Sequence, residues 1–158
     1  AVYALHGTLA QALNRGLGDW RDKTIVSLPP DSVQRVEVTH GRQAFVLVRA
    51  GKTWKLDSGA PADSMAVPRL LTEFHPTMAM GFASPPVADS ATFTRPTARV
   101  RLFGAGTVPL VDLRFDSTAT NVLVRADTGS TVYLMENWSL SQLAPAEKTL
   151  KASTPKVE

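Results

Sequence analysis

Between Gln34 and Leu56 the chain crosses a strand-length segment three times, and each return falls on a glycine. Arg35-Val36-Glu37-Val38 alternates polar and apolar, His40-Gly41-Arg42 turns, and Ala44 to Val48 is a β-branched run. Ala50-Gly51-Lys52 turns again before Thr53-Trp54-Lys55-Leu56 alternates once more. Such spacing predicts a three-strand antiparallel meander, because the connections are too short for the crossover that parallel strands need. Ala44 to Val48 is apolar at successive positions, so this middle strand is expected to be covered on both faces.

The period changes after Leu56. Gly59 to Asp63 reads as a loop ending in a helix cap, and Val67, Leu70, Leu71 and Phe74 then fall at i, i+3, i+4 and i+7 of an amphipathic helix. Pro68 lies within that stripe, where a missing donor predicts a kink or an irregular start. His75-Pro76 marks the end, since the residue before a proline avoids the α region. Residues 77–96 read as an irregular connector. A second β-rich stretch follows, with strands at Ala98 to Leu102, Val108 to Phe115, Asn121 to Arg125 and Thr131 to Met135. Pro109 is expected at a strand start or on an edge. A short helix over Ser139 to Ala144 ends at Pro145, and 148–158 has no periodicity and reads as a loose tail.

The two ends of the chain resemble each other. Val2-Tyr3-Ala4-Leu5 matches Val132-Tyr133-Leu134-Met135, and Thr8-Leu9-Ala10-Gln11 matches Ser139-Leu140-Ser141-Gln142. The second match has capping-box chemistry, with Trp138 placed to staple onto Leu143. The expected organisation is therefore a closing strand and helix at 1–18, a first β-meander-plus-helix half at 19–76, a connector at 77–96, a second half at 97–147 and a tail. The fold class is α+β: antiparallel meanders with helices packed on one face, in two related strand-strand-helix halves. Residues 1–18 would then belong to a preceding, truncated unit, and the chain would be a piece of a longer, anchored protein.

Asp19-Trp20-Arg21-Asp22-Lys23-Thr24-Ile25, Leu28-Pro29-Pro30-Asp31-Ser32-Val33, Val36-Glu37-Val38 and Thr53-Trp54-Lys55-Leu56 together resemble a bacterial family, the domain of unknown function DUF4340. Ala60-Pro61-Ala62-Asp63 running into Val67, Leu70 and Leu71 fits the same pattern, as do the later strands leading to Thr131-Val132-Tyr133. The resemblance implies a membrane-anchored envelope protein on the periplasmic side, with repeated units, often encoded beside gliding-type ABC transport components. It carries over no catalytic residue. Pro68 departs from the helix-favouring residues expected at its position.

Chemical motifs are sparse. The 158 residues contain no cysteine, which excludes thiolate metal sites and thiol catalysis. His6, His40 and His75 share no ligand spacing, and neither a Gly-x-Ser-x-Gly elbow nor Ser-x-x-Lys occurs. Gly104-Ala105-Gly106 lacks the third glycine and following helix of a phosphate cradle and reads as a hairpin turn. Asp19 with Asp22, and Asp112 with Asp116, have no spacing that implies convergence. No catalytic, cofactor or metal residue is assigned. The formal charge is only +3, and the arginines are spread through strand-like segments, which reads as the solvated exterior of a sheet and excludes a dedicated nucleic-acid stripe. Trp20, Trp54 and Trp138 read as core anchors seating helices on the sheets.

One run suggests contact with another protein. Met65, Phe74, Met78, Met80 and Phe82 lie close together, and where exposed they would form an adaptable apolar surface. The expected function is a non-enzymatic interaction or scaffold module serving a protein partner in an envelope or transport complex, with an open sheet edge as one expected contact. The alternative is a small-ligand, glycan or lipid binding module using the groove between the halves.

Overall fold

The structure, a computed structural model, describes residues 21–153 apart from Thr92 and Thr128. A three-residue strand, β1 (Thr24–Val26), and a 3₁₀ turn at Pro30–Ser32 precede the meander of β2 (Arg35–His40), β3 (Gln43–Ala50) and β4 (Thr53–Leu56). Its two reversals are made by Gly41 at φ +59° and Gly51 at φ +65°, backbone that glycine adopts without a Cβ clash. Helix α1 (Ala66–Thr72) comes next, then the two-residue strands β5 (Thr77–Met78) and β6 (Gly81–Phe82) and helix α2 (Pro85–Ser90). Strands β7 (Ala98–Phe103), β8 (Pro109–Ser117), β9 (Val122–Ala126) and β10 (Tyr133–Met135) lead into helices α3 (Asn137–Leu143) and α4 (Glu147–Leu150).

Eight strands form one antiparallel sheet in the order β4-β3-β2-β7-β8-β9-β10-β6, and β1 pairs separately with β5. The meanders of the two halves are joined edge to edge by six residue pairs from Arg35↔Phe103 to His40↔Ala98, so both halves share one sheet and one core. Pro109 opens β8, where its missing donor interrupts no ladder. The connector is ordered: β5 pairs with β1, β6 pairs with β10, and α2 packs Ala88 near Phe93 and Leu123.

Alternation along the strands separates two faces. Val36, Val38, Phe45, Leu47, Val100, Leu102, Leu113 and Phe115 are buried on the inner face, against Val67, Leu70, Leu71 and Phe74 of the α1 segment and Leu140, Leu143 and Leu150. Helices α1, α3 and α4 cover this face, while α2 and Phe93 cap a small part of the other. All four residues of the predicted helical stripe are buried.

Several local expectations are corrected. Strand β3 is covered on one face only, because Val48 is exposed and Val46 half-buried on the outer side. Pro68 produces no break. It is the third residue of α1, where its amide would have had no intrahelical acceptor. Asp63 supplies the cap: its Oδ1 accepts from the amides of Met65 (2.7 Å) and Ala66 (2.9 Å). The later helix starts three residues earlier than the capping-box reading. Glu136 is its N-cap, and Ser139 is buried inside the first turn. Met135 and Leu140, both in the core cluster, occupy the positions of a hydrophobic staple that the sequence reading gave to Trp138 and Leu143. The tail is not loose before Ala152. Leu150 is buried, Lys151 bridges to Ala62, and Ala152 donates to the Pro61 carbonyl. A four-residue helix is too short to show a period. The earlier copy of the proposed repeat, Trp20 and His6 lie outside the described residues.

Candidate functional site

Burial alternates from Thr77 to Met80, through β5 and into the bend that follows it. Thr77 and Ala79 point inward and are buried; Met78 and Met80 stand outward, 51% and 47% exposed. The Ala79 amide donates to Lys23 (2.8 Å) and the Met80 amide to Leu134 (2.8 Å), which fixes both methionines on one side. The Thr24 hydroxyl reaches the Met78 Sδ at 3.3 Å.

Trp138 faces these methionines across a groove. On α3 the inward stripe is Leu140, Leu143 and Ala144, and Trp138 lies about 200° round the helix from Leu140, at 100° per residue. It is therefore 60% exposed and no core anchor, whereas Trp54 is buried at 7%. The groove holds about 290 Å³ between the end of α1, the connector and α3, so it lies between the two halves on the helix side of the sheet. Glu73 and Glu136 stand on its rim, and among the described residues no basic side chain lines it.

The five residues proposed as a partner surface separate. Met78 and Met80 line the groove. Met65 is exposed but stands at the opposite end of α1. Phe82 is half-buried, its ring 5.6 Å from Tyr133 and capped by the Arg21 guanidinium at 4.0 Å. Phe74 is a correction: the apolar stripe of α1 carries it into the core, where it is 1% exposed. The sequence reading missed Trp138, Glu73 and Glu136, although the helical phase of Leu140 and Leu143 already set Trp138 apart. No long sheet edge is open among the described residues, since β4 is shielded by hydrogen bonds to Ala60 and Ala62 and β6 has two residues.

Several other polar groups have structural partners. His40 Nδ1 lies 2.8 Å from the Ala144 carbonyl and His75 Nδ1 lies 3.2 Å from the Ser27 hydroxyl. The arginines of the sheet exterior are folded onto it: Arg35 stacks on Phe103 at 3.9 Å and Arg125 on Phe93 at 4.7 Å. Asp112 is gripped by Arg99 and approached by Arg114. Burial pushes the Asp112 carboxyl up, but the hydrogen bonds and charge of the two arginines outweigh it and hold the group below its ordinary value. Among the described residues no cluster of three metal-ligating side chains occurs. No helix of the described residues is long and apolar enough to span a membrane.

Comparison with known proteins gives one result. The family described as domain of unknown function (DUF4340) matches residues 1–96. No curated protein and no solved structure matches the chain.

Proposed function

The chain belongs to the DUF4340 family, and from that premise we propose that it is a non-enzymatic interaction module of a membrane-anchored, periplasmic bacterial envelope protein. It serves as an accessory to an ABC-type transport system and docks a protein partner in the Met78–Met80–Trp138 groove. The observation that carries this reading is the exposure of three large apolar side chains around one concavity. Methionine adapts its shape to a partner, and tryptophan is among the residues that dominate binding energy at interfaces. Glu73 and Glu136 on the rim favour an amphipathic segment bearing Lys or Arg beside its apolar anchors.

Size separates this reading from a ligand site in the same place. At about 290 Å³ the groove falls just below the roughly 300–1,000 Å³ of pockets that enclose small molecules. It suits a few side chains of a helix better than an engulfed ligand.

The test uses the full-length protein in its native membrane, with a photo-crosslinking residue at position 80 or 138 and a control at the remote, 76% exposed Val108. Positions 80 and 138 should link to the same component of a transport complex, through a segment containing Lys or Arg. Combined Glu73→Lys and Glu136→Lys substitution should abolish the adduct. Equal labelling from position 108, or an adduct indifferent to charge reversal, would overturn the proposal.

A further inference from the structure

A second cavity lies on the far side of α1, where the meander meets the loop before the helix. Arg49 and Trp54 are directly paired across β3 and β4 on the inner face, and Pro68 and Leu71 of α1 line the cavity with them. The Arg49 guanidinium lies 5.2 Å from the Trp54 ring. The space between them, Pro61 and α1 measures about 390 Å³, within the usual range for small-molecule pockets.

Its lining combines two chemistries. The floor is apolar, made by Trp54 and Leu71, which are 7% and 2% exposed and held in the core cluster. Pro30, Pro61 and Pro68 contribute to the walls, and their fixed φ angles make the walls stiff. Two cations, Arg49 and Lys52, line it together with one carboxylate, Asp31, while Lys55 borders it from β4, opposite the outward Val48. Among the described residues neither Arg49 nor Lys52 is within salt-bridge distance of an acid, whereas Arg35, Arg99, Arg101 and Arg114 all are. Uncompensated positive charge at the mouth of an apolar recess attracts an anion, and the low-dielectric walls concentrate its field.

We infer that this cleft binds an amphiphilic anion, with the apolar body on Trp54 and Leu71 and the acidic head between Arg49 and Lys52. Arg49 is placed to act twice, over the indole face and toward the acid. The cleft is a separate site from the methionine groove and does not depend on the function proposed for it. A free carboxylate and the head of an anionic lipid present the same chemistry, so both enter the test.

The experiment is an NMR titration of the purified chain with 4-phenylbutyrate, with 4-phenylbutanol as the uncharged counterpart. A parallel arm measures co-sedimentation with phosphatidylglycerol vesicles and with neutral phosphatidylcholine vesicles. Phenylbutyrate, or phosphatidylglycerol vesicles alone if the source is a lipid head, should bind saturably and perturb the Trp54 indole and Leu71 methyl signals. Arg49→Gln with Lys52→Gln should weaken that binding about tenfold, the loss of roughly 1.4 kcal/mol. Arg49 is half-buried and Lys52 exposed, and neither belongs to the core cluster, so the variant should stay folded. Binding of the alcohol as tight as the acid, perturbation centred on Trp138, equal affinity in the charge variant, or no saturable binding in either arm would overturn the inference.

Discussion

Arg99 holds Asp112 diagonally across β7 and β8, not the residue directly opposite it. In the ladder Arg99 faces Arg114 and Asp112 faces Arg101. Yet Arg99 Nε donates to Asp112 Oδ1 at 2.8 Å and Nη2 to Oδ2 at 2.6 Å, while Arg101 turns to Glu37 on the neighbouring strand. Glu37 thus sits between Arg35 and Arg101, and Asp112 between Arg99 and Arg114. Bidentate geometry makes the Arg99–Asp112 pair the strongest of these contacts. Asp112→Ala should lower stability by about 1–3 kcal/mol, the scale of hydrogen bonds to charged groups. Arg99 is 35% exposed and can turn to water, which keeps the loss below that of a sealed ion pair. Urea unfolding of the two proteins at pH 7 measures it.

The same pair sets a pH dependence. The Asp112 carboxyl is lowered from its ordinary 3.8 in the folded chain, so the unfolded state takes up a proton first as pH falls. Its contribution is complete above about pH 4 and is lost as the pH drops through the lower folded value. The stability gap between the parent and Asp112→Asn should therefore be constant from pH 7 to about pH 5 and should narrow below about pH 4. A gap that widens on acidification would contradict the assignment.

Two tryptophans should answer to substitution in opposite ways. Trp54→Ala removes a ring from the core and should cost about 3–5 kcal/mol. Trp138→Ala removes a ring that is mostly in water and should change stability by less than about 0.5 kcal/mol. Thermal unfolding of both variants distinguishes a buried anchor from a surface one. Comparable losses would place Trp138 in the core and remove the groove's main wall.

What was legible from the residues follows from how local each cause is. Gly41, Gly51 and the Val67-Leu70-Leu71-Phe74 stripe act over a few positions, so the meander and α1 could be read directly. The six-pair contact of β2 with β7 joins residues about sixty apart and has no local signature, which is why the meanders were legible but the single sheet they share was not. Val46 and Val48 were misread because apolar residues at successive positions do not say whether a second layer exists. For Trp138, a cap at Glu136 instead of Ser139 puts the residue inside the helix, where its fixed phase to Leu140 turns the ring toward the groove and not the core. Met78 and Met80 alternate with Thr77 and Ala79, but neighbouring prolines and a glycine made the segment read as irregular. The cleft at Trp54 has no local signature, since Arg49, Lys52, Pro61 and Leu71 belong to four different segments.

The meander's turns carry their own test. Gly51 has φ +65°, and an ideal Cβ there meets no atom within 4 Å, so any loss in Gly51→Ala comes from the backbone alone. That loss should be about 1–2 kcal/mol, the cost of a left-handed conformation for a residue with a Cβ. Gly106 is equally uncrowded and has no positive φ, so Gly106→Ala should be close to neutral. Denaturant midpoints of the two variants give the comparison, and equal midpoints would contradict the turn geometry.

The last helix tests whether the segment after Pro145 is part of the folded unit. Leu150 is 2% exposed and belongs to the same cluster as Val67 and Leu71. Its carbonyl accepts from the Asp63 amide at 2.7 Å, and the Ala152 amide donates to Pro61 at 3.1 Å, so the segment clamps the loop that caps α1. Leu150→Ala should cost about 2–5 kcal/mol, the usual range for emptying a buried leucine site. Lys151→Ala, which removes only a surface pair with Glu147 four residues away, should cost no more than about 0.5 kcal/mol. Hydrogen exchange should locate the effect, with faster exchange of the Asp63 amide in Leu150→Ala and an unchanged rate in Lys151→Ala. If both variants unfold at the parent's urea midpoint, the segment is not docked and α1 is capped by Asp63 alone.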